Sequence, residues 1–253
     1  MRILAIGNSF SQDATAMLQP VLAASGIQAE VVNLYIGGCP LERHWQNIEQ
    51  DAPAYDEQLE GEATGRKRSI REAVEDGPWD WIVTQQASHD SGWENTYEPF
   101  LTLMTAFLRE RAPEARLALQ ETWAYERDSD HGSFMRYHRD QGEMYDRLSR
   151  CYREAASRHD MTLIPCGDVI QALRTEEPFR YESGGISLCR DGFHMNALYG
   201  RYALALCWGR RLAGMAAADN AYIPRDIFNP AARADPALLR LIRRAADRLV
   251  QPV

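Results

Sequence analysis

Five short, largely apolar runs punctuate this chain: Ile3–Ile6, Ala29–Tyr35, Trp79–Gln86, Arg116–Gln120 and Thr162–Pro165. Each ends in glycine or polar residues and is followed by a stretch of helical spacing. Runs that are apolar on both faces suit a parallel sheet, because crossover helices cover both of its sides. Strand-then-helix units repeated without a break in composition predict one doubly wound α/β domain. With right-handed crossovers, the expected fold is flavodoxin-like: three layers, α/β/α, around a five-stranded parallel sheet of order 2-1-3-4-5. The domain spans residues 1–253, with 216–253 a C-terminal helical extension. There, Leu238, Ile242, Ala245 and Leu249 share one face, for docking on the body or for an oligomer contact. Residues 51 to 67 are polar and acidic and read as an irregular connection.

The first run is the most informative. It stops at Gly7, and Asn8-Ser9-Phe10-Ser11 leads directly into helical spacing. Ser9 therefore falls at the carboxyl end of the first strand, the edge where open α/β sheets bind ligands. A serine there is placed to be a nucleophile. Ser9 and Gln12 also fit S-x-x-Q, a capping box, so this stretch alone leaves both roles open.

Three further clusters fall on the same edge or just before the last apolar helix: Gly37-Gly38, Gln85-Gln86 and Asp191-x-x-His194. Acyl transfer needs such parts: a nucleophile, a base, a group that orients the base, and donors for the oxyanion. In these blocks the chain resembles the SGNH, or GDSL-like, hydrolase superfamily. Gly7-Asn8-Ser9-Phe10-Ser11 matches its first block, Gly38 or its neighbour Gly37 the second, and Asp191 with His194 the last. The resemblance implies a serine esterase with Ser9 as nucleophile, His194 as base and Asp191 as its partner. The backbone N–H groups of Ser9 and Gly38 would serve the oxyanion.

The third block departs from the pattern. Where the family carries an asparagine in G-x-N-D, this chain reads Val83-Thr84-Gln85-Gln86-Ala87-Ser88. It resembles a branch with glutamine at that place, as in some carbohydrate acetylesterase-like members. A glutamine amide can donate the same hydrogen bond; Gln85 is the first choice and Gln86 the second. Asn8, Trp93 and Trp123 are expected to line the substrate site, since indole faces suit sugar rings. The expected substrate is a short-chain, acetyl-type ester on a carbohydrate. A lipid or generalist esterase, or an inert flavodoxin-like binding module, is the alternative.

Charge and composition narrow the partners. A net charge of −8 disfavours nucleic acid and anionic membranes. Five cysteines, widely spaced and without C-x-x-C, read as reduced thiols, and His44, His89, His131, His138 and His159 show no metal spacing. No cofactor is implied: neither G-x-G-x-x-G nor a P-loop motif occurs. Met1-Arg2 enters a strand directly, and no apolar run approaches a membrane span. The expectation is a cytoplasmic protein acting on a small-molecule ester.

Overall fold

The computed structural model describes all 253 residues, Met1–Val253. Its centre is β1 (Arg2–Gly7), almost wholly buried and paired in parallel with β2 (Glu30–Tyr35) and β5 (Trp81–Thr84). Beyond β5 the sheet continues in parallel through β6 (Arg116–Gln120) to β7 (Thr162–Ile164). Beyond β2 it continues through two antiparallel strands, β3 (Tyr55–Leu59) and β4 (Glu62–Arg68). The order is β4-β3-β2-β1-β5-β6-β7.

The sheet is thus mixed and seven-stranded, which corrects the expected count of five and, with β3 and β4 added beyond β2, the order of the whole sheet; the five parallel strands keep the expected relative order. The added strands occupy the stretch that reads as an irregular connection. Their turn residues Glu60 and Gly61 have φ of 53° and 88°, the left-handed pair that a two-residue hairpin requires. Gly61 also lies so close to Ala16 that a Cβ would meet its carbonyl oxygen at 2.5 Å. All of β4 except Arg68 is exposed, so no apolar alternation marks it in the sequence. The hairpin is held by charge instead: Arg68 Nη1 lies 2.9 Å from Glu57 Oε1, with both side chains buried.

Helices cover both faces. On one, α1 (Ser9–Thr15) and α2 (Leu18–Ala23) pack with α8 (Gly200–Ala213), which also meets α7 (Cys166–Leu173) and α9 (Pro236–Leu249). On the other, α3 (Leu41–Glu49), α4 (Ile70–Glu75) and α5 (Phe100–Arg111) pack together. The long helix α6 (Gln141–Arg158) lies against β6 and β7. It begins after its cap, Asp140, and a 3-10 turn at Gly132–Tyr137 precedes it. The terminal helix α9 docks on α7 and α8 by Leu239, Ile242, Ala245 and Ala246. All five cysteines are free and buried. No helix is long and apolar enough to cross a membrane.

Candidate active site

The β1–α1 junction takes the capping role away from Ser9. Asn8 is the helix cap: its Oδ1 accepts the Phe10 N–H at 3.0 Å. Ser9 is the first helical residue, so the S-x-x-Q box is not formed, and its half-buried hydroxyl is left without a capping task. Asn8 is 2 % exposed and fully engaged. Its Nδ2 donates to Cys39 O at 3.1 Å, and its Oδ1 also accepts from Gln85 Nε2 at 2.7 Å. It braces the ends of β1, β2 and β5, so its side chain is spent on the protein itself.

Asp191 and His194 sit in a small loop hairpin. Its base is a bridge between Cys189 and Met195, with Arg190 N–H donating to His194 O at 2.8 Å. Gly192 turns it with φ +85°, where a Cβ would press on Ser129 Cα at 3.0 Å. His194 Nδ1 is 2.7 Å from Asp191 Oδ2, while Asp191 Oδ1 accepts the N–H groups of His194 (2.8 Å) and Phe193 (3.2 Å). Burial alone would raise the pKa of Asp191. The hydrogen bonds from His194 and Phe193 outweigh it and hold the group below its ordinary value. Asp191 does not cap α8, where Asn196 Oδ1 instead receives the Tyr199 and Gly200 N–H groups. With Nδ1–H donated to the carboxylate, the free acceptor of the ring is Nε2. The His194 ring lies 6.1 Å from the ring of Phe10, the residue after Ser9. No hydrogen bond joins Ser9 to His194.

After β2, Gly38 is exposed with φ +61°, and its N–H donates to nothing in the protein. The Ser9 N–H, at the first position of α1, has no intrahelical acceptor. Next to Gly38, Cys39 O accepts from Asn8 Nδ2, and Cys39 Sγ lies 3.5 Å from Nδ1 of buried His44, which is also 2.8 Å from Tyr55 OH. Burial, with Arg43 nearby, lowers His44 to about 3, so it is neutral and interior.

Both glutamine amides are engaged inside the protein, Gln86 through both of its N–H groups, which corrects its expected oxyanion role. Gln85 is 1 % exposed and spends its Nε2 on Asn8. Gln86 is completely buried. Its Nε2 donates to Thr96 O and Oγ1, and its Oε1 accepts the N–H groups of Leu41 and Ala87, so it ties three segments together. Of the two tryptophans, Trp123 has no open face for a sugar, which corrects its expected role. Trp123 is fully buried, stacked on Phe10 with centroids 4.1 Å apart, and its Nε1 donates to Phe193 O. Trp93 is half-buried, with the guanidiniums of Arg136 and Arg147 against its ring at 4.9 and 5.0 Å.

Sequence reasoning missed several residues at this edge. His131 lies against Phe193, with ring centroids 4.8 Å apart, and its Nδ1 accepts the Ser133 N–H. Its pKa is lowered, first by burial and then by the neighbouring imidazoles of His89 and His194. Glu121, just past β6, is fully buried, and its Oε2 accepts the Asp168 N–H at 2.9 Å. Burial, reinforced by the Asp168 charge, pushes it up to about 8. Asp13, four residues after Ser9 on α1, is also fully buried and bonded to the hairpin that carries His194. Its signal was a lone acid on the inner side of a short helix. Beside Asp191 lies a polar cleft of about 330 Å³, lined by Asp128, Ser129, Asp130, Ser187 and half-exposed Tyr181 among others. No group of three or more His, Cys, Asp or Glu side chains is arranged to hold a metal ion.

The family described as "Domain of unknown function (DUF4886)" matches residues 2–237. The crystal structure of a DUF4886 family protein from Bacteroides uniformis is 36% identical, with a TM-score of 0.88 over 98% of this chain and 93% of that one. A protein put forward as an SGNH hydrolase, from Slackia heliotrinireducens, is 20% identical with a TM-score of 0.55 over 83% of this chain and 97% of its own. The acetylxylan esterase Axe2 from Geobacillus stearothermophilus is 14% identical with a TM-score of 0.53 over 84% and 94%. At those identities the last two share the fold. No curated protein matches the chain.

Proposed function

This chain belongs to the DUF4886 family, and from its site we propose that it is a serine hydrolase cleaving short-chain esters through an acyl-enzyme. The observation that carries the reading is the 2.7 Å contact between His194 Nδ1 and Asp191 Oδ2, taken with a Ser9 hydroxyl at the start of α1 that has no capping task. His194 Nε2 takes the proton of Ser9 Oγ as that oxygen attacks the ester carbonyl. The Ser9 and Gly38 N–H groups receive the developing oxyanion. The imidazolium, stabilised by Asp191, returns the proton to the leaving alkoxide, and the alcohol departs. Water, deprotonated by the same imidazole, then attacks the acyl-serine and releases the carboxylic acid.

Acetyl on a carbohydrate is the substrate class we favour. Trp123 does not support it, because it is built into the interior. Support comes from the polar cleft beside Asp191, where carboxylates, hydroxyls and the Tyr181 ring offer what a hydroxylated ring binds. The shared fold of an acetylxylan esterase agrees with it. The experiment is turnover of an aryl acetate and of acetylated sugars by the parent and by Ser9→Ala, with a serine-directed phosphonate as covalent label. The parent should be labelled at Ser9 and the variant should be inactive but folded. Near-parental turnover by Ser9→Ala would overturn the assignment.

A further inference from the structure

On the serine-hydrolase reading just given, we propose that Asp13 is a positioning residue of the catalytic pair: it fastens the Asp191–His194 hairpin to the helix that begins at Ser9. Its carboxylate is fully buried on α1. Oδ2 accepts the Met195 N–H at 2.8 Å, at the residue that follows His194. Arg190, which precedes Asp191, places Nη1 3.0 and 3.3 Å from the two carboxylate oxygens and also donates to Met195 O. Arg201, on α8, adds Nε and Nη2, each 2.8 Å from Oδ1.

Both legs of the hairpin are therefore held by one carboxylate, and that carboxylate rides on the same short helix as the nucleophile. Since Cys189 and Met195 pair across the base, fixing Arg190 and Met195 fixes the tip that carries Asp191 and His194. The separation of His194 from Ser9 is then set within one rigid unit, not across two independently moving loops. Asp13 itself touches no substrate. Charge-assisted bonds of this kind are short and directional, which suits them to holding geometry. A displacement of about 1 Å between reacting groups can lower a rate about 100-fold.

The test uses the full chain with Asp13→Asn, Arg190→Gln and Arg190→Lys, a phosphonate that labels the nucleophilic serine, and an aryl acetate. Each folded variant should still bind phosphonate at full stoichiometry, which shows that the protein is intact. For Asp13→Asn and Arg190→Gln the labelling rate and kcat should fall by about 10- to 100-fold with KM little changed. Arg190→Lys keeps a cation for Asp13 and should recover most of the loss. If Asp13→Asn does not fold, Arg190→Gln decides, because that side chain is 25% exposed. Parental kcat per labelled site in the deciding variant overturns the positioning role. A parent that is never labelled at Ser9 overturns the hydrolase reading instead.

Discussion

His194 Nδ1 lies 2.7 Å from Asp191 Oδ2, while the other oxygen of the same carboxylate holds the His194 backbone N–H at 2.8 Å. One side chain thus orients both the ring and the peptide of its partner. Asparagine keeps the shape but can present an N–H where the ring needs an acceptor. Asp191→Asn should therefore lower kcat by a factor on the order of 10³–10⁴, as loss of a triad carboxylate does elsewhere, with the fold retained. Steady-state turnover of an aryl acetate checks this, and a loss below about tenfold would remove Asp191 from the mechanism.

The same carboxylate has a signature in acid. Its folded pKa is depressed, so its contribution to stability is complete above the unfolded value of about 3.9 and is lost as pH falls through the folded one. Melting temperatures measured from pH 5 down to pH 2 should fall more steeply for the parent than for Asp191→Asn. Parallel curves would show that Asp191 gains nothing from its partners.

Glu121 gives the opposite sign. Its folded pKa of about 8, against about 4.3 for an unperturbed glutamate, means that the folded state keeps a proton the unfolded chain has released. Stability should then decline as pH rises between those values. Glu121→Gln, which mimics the protonated acid, should flatten the decline between pH 5 and pH 8. Identical slopes in a thermal-melt series would assign it to another group.

Gln86 is a clamp. Gln86→Ala strands the buried Leu41 and Ala87 N–H groups and should destabilise the protein by about 1–3 kcal/mol, read by urea unfolding. Turnover per folded molecule should stay near parental. A large loss of kcat at unchanged stability would return Gln86 to the oxyanion site.

Trp123→Ala should destabilise by about 3–5 kcal/mol, because the indole is fully buried on Phe10. Any loss of activity should be the same on acetylated sugars and on a small aryl acetate. A selective loss on sugars would place the ring in the substrate site.

The parallel strands were legible because burial on both faces writes itself into sequence as short apolar runs, as at Ile3–Ile6. The β3–β4 hairpin was not, because Arg66, Lys67 and Arg68 satisfy a solvent-facing edge and a buried ion pair with the same polar residue types. Ser9, Gly38, Asp191 and His194 stand out through the resemblance of their blocks to a family pattern, and of these the structure joins Asp191 to His194. Their framework does not stand out. Asn8 and Ser9 are both good caps, and only the backbone shows which one serves. Gln85, Gln86 and Trp123 follow strand ends, where the two-residue alternation lapses and no longer says which side chains face the cleft. Asp13 gains its meaning from Arg190, Met195 and Arg201, all remote in sequence.

The charged outer hairpin also governs how the molecule meets its neighbours. Without it, β2, with Val31, Val32 and Leu34 buried in its run, would lie at the sheet margin as an open template for another chain. As built, that margin is β4, where Glu62, Arg66 and Lys67 repel an incoming strand. At the opposite margin β7 is only three residues long, and its Leu163 carbonyl is already taken by Arg211. A version trimmed of residues 55–68 would thus be expected to lose its resistance to aggregation, however intact the remaining parallel strands.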